Sequence, residues 1–308
     1  MERRSLGSSA LEVSRLSLGS WRTFERIGGD QSLAVMRAAR EHGLNFLDDA
    51  RYNDETGTAP IPTGYSEVLF GELFRAVGWN RDETVVANKL WWEFWPDEDA
   101  AAELEGSLGR MGFDYIDLIY ANPPPDDLPI PEMVGAVGQL VAAGQARAWG
   151  IVNWQPGAFL EASRAARELG VPQPCAAQLP YSLVRRDWVE SPEMAAALES
   201  SRAGVVASFV MAGGVLTGKY DAGGSGRAAG ELDAPHNAAA RECGRRLGAV
   251  AAELGVSAAA LAIGFALGNP DVVSVLIGAT SPDQIAVNAR ALELGPDAVQ
   301  RLDALCTG

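Results

Sequence analysis

Residues 44–48 read LNFLD, 84–89 TVVANK, 115–122 YIDLIYAN, 146–153 ARAWGIVN and 174–179 PCAAQL. Each is a short apolar run with the composition of a buried strand. Each ends, or nearly ends, on a polar residue: Asp48, Lys89, Asn122, Asn153 and Gln178. Three further runs, RLSLGS (15–20), GVVASFVM (204–211) and DVVSVLIG (271–278), bring the strands to eight. Helical patterns fill the intervals. DEDAAAELEGSLGRMG (97–112) sets Leu104, Leu108 and Met111 on one face. The segment opened by Pro131 carries Met133, Val134, Val137, Leu140 and Val141 at helical spacing and stops at Gly144. Strands alternating with helices argue for parallel βα units. Eight of them predict an α/β fold of the (β/α)8 TIM barrel type, as one domain over residues 1–308. A β-hairpin in RRSLGSSALEV (3–13) is expected to plug its bottom, and extra helices to follow at the C-terminal end. An open doubly wound sheet that binds a dinucleotide would show GxGxxG after the first strand, and none is present. In a parallel barrel the strand C-termini share one face, so the five polar ends are expected to meet in one site.

The chain has 308 residues, a formal net charge of -15 and 40 acidic against 25 basic side chains. No basic run or stripe offers a footprint for phosphates, so nucleic acid and anionic membrane are not expected partners. Cys175, Cys243 and Cys306 are odd in number and scattered, which fits a reducing compartment better than a disulfide framework. The first residues lack an apolar core and no run approaches the roughly 18 apolar residues of a membrane span. A cytoplasmic location is expected. Besides the N-terminal hairpin, two segments interrupt the barrel rhythm: RYNDETGTAPIPTGY (51–65), rich in turn formers, and DAGGSGRAAGELDAP (221–235), rich in glycine and small residues.

Only His42 and His236 are present, neither at a strand end, and no CxxC or HxxxH spacing occurs. Histidine triads and metal sites are therefore not expected. GGVLTGK (213–219) approaches a Walker A loop, but Tyr220 stands where a Ser or Thr would hold magnesium. A carboxylate, an ammonium, phenols and amides remain, a set suited to proton transfer to a carbonyl. A Lys beside a Tyr stabilises phenolate, and an Asp keeps that Lys charged and oriented. Asp48 and Lys89 end neighbouring strands. They can form that pair or a purely structural one. Trp21, Trp91, Trp92, Trp95 and Trp154 all follow strands, which makes them either core or an aromatic wall around the barrel mouth. At TSPDQ (280–284), Ser281 reads as N-cap, Pro282 as first helical residue and Gln284 as capping-box partner. This exposes backbone N–H groups either to an anion or simply to the cap.

GLNFLDDARYN (43–53), YSEVLFGELF (65–74), ANKLWW (87–92), DYIDLIYAN (114–122), GIVNW (150–154) and GGVLTGKY (213–220) resemble, in that order, the aldo-keto reductase superfamily. The likeness runs from LGSSALEVSRLSLGSW (6–21) to IGATSPDQIAVN (277–288). It implies a barrel that binds a nicotinamide cofactor without a Rossmann fold and reduces an aldehyde or ketone by hydride transfer. By position Asp48 and Lys89 match the catalytic aspartate and lysine, and Asn153 and Gln178 the residues that hold the nicotinamide carboxamide. Gly213, Gly214, Leu216, Gly218 and Lys219 fall in the loop that crosses the pyrophosphate. Gly278, Thr280, Ser281, Gln284 and Asn288 fall where the adenosine phosphate lies. NADPH is the implied cofactor. NADH stays open, because no basic residue stands there for a 2′-phosphate.

The chain departs from the family at three points. The catalytic tyrosine follows the aspartate by five positions, where this chain has Asn53. Tyr52, one residue early, is the expected acid, with Tyr65 as the alternative. Asn122 replaces a histidine, as in the potassium-channel β-subunit branch, and is expected to orient the substrate. Ser208 stands where an aromatic stacks on the nicotinamide; Phe209 is next to it but, along a strand, should point away. The expectation is NAD(P)H-dependent carbonyl reduction, with alcohol oxidation as its reverse. The substrate is a small carbonyl compound held by Trp21, Trp91, Trp92 and Trp154. The alternatives are a cofactor-binding sensor with little turnover and, further off, a lyase using Lys89 as nucleophile. Oligomeric state is not legible.

Overall fold

The computed structural model describes residues 1–306 apart from 222, 225, 227, 229, 231 and 233, with residues 235 and 236 described in backbone only. Among the described residues ten strands form: β1 (Arg3–Ser5), β2 (Glu12–Ser14), β3 (Leu16–Gly19), β4 (Phe46–Asp48), β5 (Val85–Leu90), β6 (Ile116–Ala121), β7 (Ala146–Val152), β8 (Ala176–Pro180), β9 (Gly204–Ser208) and β10 (Val272–Ile277). The last eight close a parallel barrel in sequence order, with β10 hydrogen-bonded to both β9 and β3. β1 and β2 pair antiparallel as the expected hairpin. Its Leu6, Leu11 and Val13 pack with Phe46, Val85, Leu118 and Val206 inside the barrel. The turn sits hard against the barrel bottom: Gly7, at φ +55°, leaves no room for a Cβ beside the Cys175 and Arg202 carbonyls.

Helices α1 (Phe24–Ile27), α2 (Gly29–Glu41), α3 (Tyr65–Val77), α4 (Ala100–Met111), α5 (Ile130–Ala142), α6 (Pro156–Leu169), α7 (Asp187–Glu190), α8 (Pro192–Ser201), α9 (Pro235–Leu254), α10 (Ala258–Gly268), α11 (Pro282–Ala289) and α12 (Pro296–Asp303) surround the barrel. The stripe read for α5 faces inward, with Met133, Val134, Val137 and Leu140 buried, while Val141 is only partly covered. Start and stop signals work as their chemistry requires. Asp99 caps α4 by accepting from Ala102 N–H, and Gly112, at φ +69°, ends it. Among the described residues no single helix is long and apolar enough to cross a membrane.

The structure corrects two expectations. Cys243 on α9 and Cys306 beyond α12 are joined in a disulfide, their Cα atoms 5.3 Å apart, and only Cys175 is free and buried. The pairing removes the ground on which a reducing compartment was expected. At α11, Ser281 occupies the N-cap position without a side-chain cap bond. Gln284 reaches one residue too far back for a capping box and accepts from Thr280 N–H at 2.8 Å.

Candidate active site

Side chains alternate along a strand, so one parity of each barrel strand points inward. Phe46 precedes Asp48 on that parity, Ala87 precedes Lys89, Tyr120 precedes Asn122, Ala176 precedes Gln178 and Val206 precedes Ser208. Phe46, Ala87, Tyr120, Ala176 and Val206 pack as the apolar interior, and the polar set forms the layer above it. That layer floors a cavity of about 890 Å³ lined by Asp48, Tyr52, Lys89, Asn122, Asn153, Gln178 and Ser208, among others.

Lys89 Nζ donates to Asp48 Oδ1 at 2.5 Å and to the Tyr52 hydroxyl at 3.3 Å. Asp48 and Lys89 are almost wholly buried, and Gln178 Nε2 donates to the other Asp48 oxygen at 2.8 Å. Gln178 is thus committed to the aspartate through its amide nitrogen, a contact absent from the expectation that it holds the cofactor. Asn122 donates one Nδ2 hydrogen to Leu90 O at 3.0 Å, which fixes the amide facing the cavity.

The local fold places Tyr52 beside Lys89. After β4 the chain tightens, Tyr52 N–H donating to Ala50 O at 2.9 Å, and then folds back as a narrow ladder. Asn53 pairs with Thr63, Asp54 N–H donates to Pro62 O and Gly64 N–H donates to Tyr52 O. Tyr52 stands at the base of this ladder, beside Lys89, with its ring 6.0 Å from Trp91 in an edge contact. Asn53 turns away and donates to Glu93. Tyr65, the alternative acid, opens α3 and does not line the cavity.

A buried ion pair holds the ladder's base against the next loop. Arg51 lies 3.2 Å from Glu103 of α4, both almost fully buried. The Glu103 carboxylate also accepts the N–H groups of Trp91 at 2.8 Å and Trp92 at 3.2 Å. Burial pushes the Glu103 carboxyl above its usual range, against the pull of those N–H donors and of Arg51. Burial and the nearby Glu67 push the Asp49 carboxyl well above the ordinary range, despite a hydrogen bond from Ser20. The sequence singles out neither Arg51 nor Glu103, because their pairing joins a loop to a helix 52 positions further along the chain.

Just past β9, Phe209 overturns its expected direction. β9 ends at Ser208, and Phe209 takes φ +54°, which breaks the alternation. Its ring is 44% exposed and tilts against Trp21 at 5.7 Å, both lining the cavity. Gly213 and Gly214 also have positive φ, and a Cβ on Gly214 would meet the Lys219 side chain, so the glycines let that lysine fold over the backbone. Gly278, Thr280, Gln284 and Asn288 line the same cavity. Leu216, Gly218 and Ser281 do not: Leu216 is core, Gly218 at φ +72° closes the turn, and Ser281 stands outside the lining.

The aromatic wall is smaller than expected. Trp21 and Trp91 line the cavity. Trp154 is 0% exposed and donates to Ala121 O at 2.8 Å; Trp92 is buried and donates to Asn122 O at 3.0 Å. Both satisfy the indole N–H on backbone inside the wall and are core.

A profile of the Aldo/keto reductase family matches residues 15–306. The chain belongs to the aldo/keto reductase family. A probable voltage-gated potassium channel subunit beta of Oryza sativa subsp. japonica is 34% identical over 327 residues, covering 99% of this chain and 96% of that protein. Another protein of that description, from Arabidopsis thaliana, is 32% identical over 314 residues, covering 96% and 92%. In this aldo/keto reductase Asp48, Tyr52, Lys89, Phe209, Gly213, Gly214 and Lys219 line one cavity. Arg22 and Arg26 also line the cavity of this family member, a feature not read from its sequence.

Proposed function

We propose that this protein reduces an aldehyde or ketone with a nicotinamide cofactor, NADPH or NADH, and that it runs the reverse oxidation with the same groups. The observation that carries the reading is the Tyr52 hydroxyl beside Lys89, itself paired to buried Asp48, on the wall of a cavity long enough to reach α11. The lining fits an extended dinucleotide. Asn153, at φ +59°, exposes its amide, Gly213 and Gly214 present bare backbone beside Lys219, and the start of α11 borders the far end. Asn153, Ser208, Phe209, the glycine loop with Lys219, and Thr280, Gln284 and Asn288 would hold it. When bound, that cofactor supplies the hydride.

The chain's own residues move the proton. Tyr52 donates its hydroxyl proton to the carbonyl oxygen as negative charge develops there. The Lys89 ammonium stabilises the phenolate left behind, and Asp48, fixed by Gln178, holds that ammonium in place. Asn122 has a second amide hydrogen to orient the carbonyl, and Trp91 with Trp21 supplies apolar surface for the rest of a small substrate. Titration of tryptophan fluorescence with NADPH and NADH, followed by turnover on a panel of aldehydes, tests the reading. Saturable binding with turnover supports it, and lack of binding by either cofactor refutes it. A second reading rests on the names of the relatives: a cofactor-binding subunit of a channel assembly, with little turnover. Tight binding with no turnover on any carbonyl would favour it.

A further inference from the structure

The cavity mouth carries two guanidiniums for which proton transfer gives no role. Arg22 follows β3, Arg26 lies in α1, and both line the cavity. They converge on one atom, Glu55 Oε2, which is 2.5 Å from Arg22 and 2.9 Å from Arg26. Glu55 belongs to the loop whose base is Tyr52. Arg22 also lies 4.9 Å from the centre of the Trp21 ring. Its backbone sits at φ +54°, a left-handed conformation that a non-glycine residue adopts at a cost. Glu25 also stands near, with one oxygen 3.6 Å from Arg26 and the other accepting Thr23 N–H. Two planar, forked donors meeting at one oxygen are the geometry that takes a carboxylate or a phosphate. Here a carboxylate of the chain itself occupies that point. In a chain of net charge -15, cations turned toward the cavity single out this mouth for anions.

We propose that Arg22 and Arg26 form an oxyanion subsite for a ligand-borne carboxylate or phosphate, that Glu55 competes for it, and that the carbonyl substrates are accordingly anionic. The kinetic form of this inference rests on the carbonyl-reduction reading, and the binding form does not. Because Glu55 and Tyr52 share a loop, the anion sits on the substrate's side of the cavity rather than at α11.

The test compares 4-carboxybenzaldehyde with the uncharged 4-carbamoylbenzaldehyde, in the intact protein and in Arg22→Gln, Arg26→Gln and Glu55→Gln. The protein should favour the carboxylate by at least about fivefold in kcat/KM, mainly through KM, and less so at high salt. Arg22→Gln and Arg26→Gln should each erode that ratio, and Glu55→Gln should raise it severalfold by removing the competitor. Kd values for NADPH and NADH in the same variants identify the source. A fall in the NADPH preference with an unchanged aldehyde ratio keeps the oxyanion subsite but assigns its anion to the cofactor's 2′-phosphate, overturning the anionic-substrate clause. Unchanged ratios of both kinds in all three variants overturn the proposal. Should neither aldehyde turn over, the anionic-substrate clause fails, while the carbonyl reading is decided by cofactor binding and the wider aldehyde panel. The subsite is then judged on direct binding of the same two compounds, followed by tryptophan fluorescence, with equal affinities in protein and variants refuting it.

Discussion

Glu103→Ala removes the anion that holds Arg51 and the N–H groups of Trp91 and Trp92 together, and its cost can be worked from the geometry. The Arg51 side chain is 4% exposed, so losing its buried partner strands a charge and leaves two backbone donors without their carboxylate. Breaking a buried pair by removing one partner costs about 3–5 kcal/mol. Arg51 keeps Glu98 at 3.5 Å and Glu93 at 3.7 Å, both well exposed, so the lower end applies. An unfolding entropy of about 2.1 cal/mol/K per residue over 308 residues is roughly 0.65 kcal/mol/K, so a loss of about 3 kcal/mol should lower Tm by about 5 °C. Glu103→Gln, which keeps an acceptor oxygen but no charge, should lose about half as much. Thermal melts followed by circular dichroism read both variants, with turnover of a reducible aldehyde measured beside them. A Tm within about 1 °C of the parent for Glu103→Ala would refute the idea that this pair locks the Tyr52 and Trp91 loops together.

Lys89→Met should abolish carbonyl reduction while NADPH or NADH still quenches tryptophan fluorescence with Kd changed less than about threefold; near-normal turnover would remove Lys89 from the proton path. Tyr52→Phe should lower kcat by at least about a hundredfold, and Tyr65→Phe should leave it within about twofold, as read in parallel steady-state assays. Asp49→Asn should gain stability over the parent as pH rises. Burial raises the folded-state pKa of Asp49, so the stability of its neutral form is fully present below the ordinary carboxylate pKa. That stability is lost at about 1.4 kcal/mol per pH unit as pH climbs toward the raised value, a loss the amide does not suffer. Urea titrations of both proteins from pH 4 to 8 check this, and parallel curves would refute it. Trp154→Ala should cost about 3–5 kcal/mol of stability, whereas Trp91→Ala should show mainly in the KM for aldehydes.

The barrel was legible because its signal is local and repeated: eight apolar runs, five of which end or nearly end on a polar residue. Strand parity carried Asp48, Lys89, Asn122, Gln178 and Ser208 to one layer. It failed where the backbone left the strand. Phe209, and Trp92 at φ +61°, lie just past strand ends, where one left-handed residue redirects the side chain. Trp154 follows Asn153, another left-handed residue, and turns inward to find a carbonyl. Side-chain pairings distant in sequence gave no signal. Arg51 meets Glu103 across 52 positions and Cys243 meets Cys306 across 63, and nothing in either segment names its partner. The near capping box at α11 was a motif match without its geometry, since Gln284 bonds Thr280 instead.

The Cys243–Cys306 bridge encloses α10, β10, α11 and α12 in one covalent ring. β10 is the stave that joins β9 to β3, so the piece of chain that shuts the barrel, and with it the Thr280–Asn288 edge of the cavity, cannot peel away as a free end. A ring of this size restricts the unfolded chain by about 4 kcal/mol in the loop-entropy treatment. Reduction of the disulfide should therefore register first as lost hydrogen-exchange protection in β10 and α11, far along the chain from Cys243.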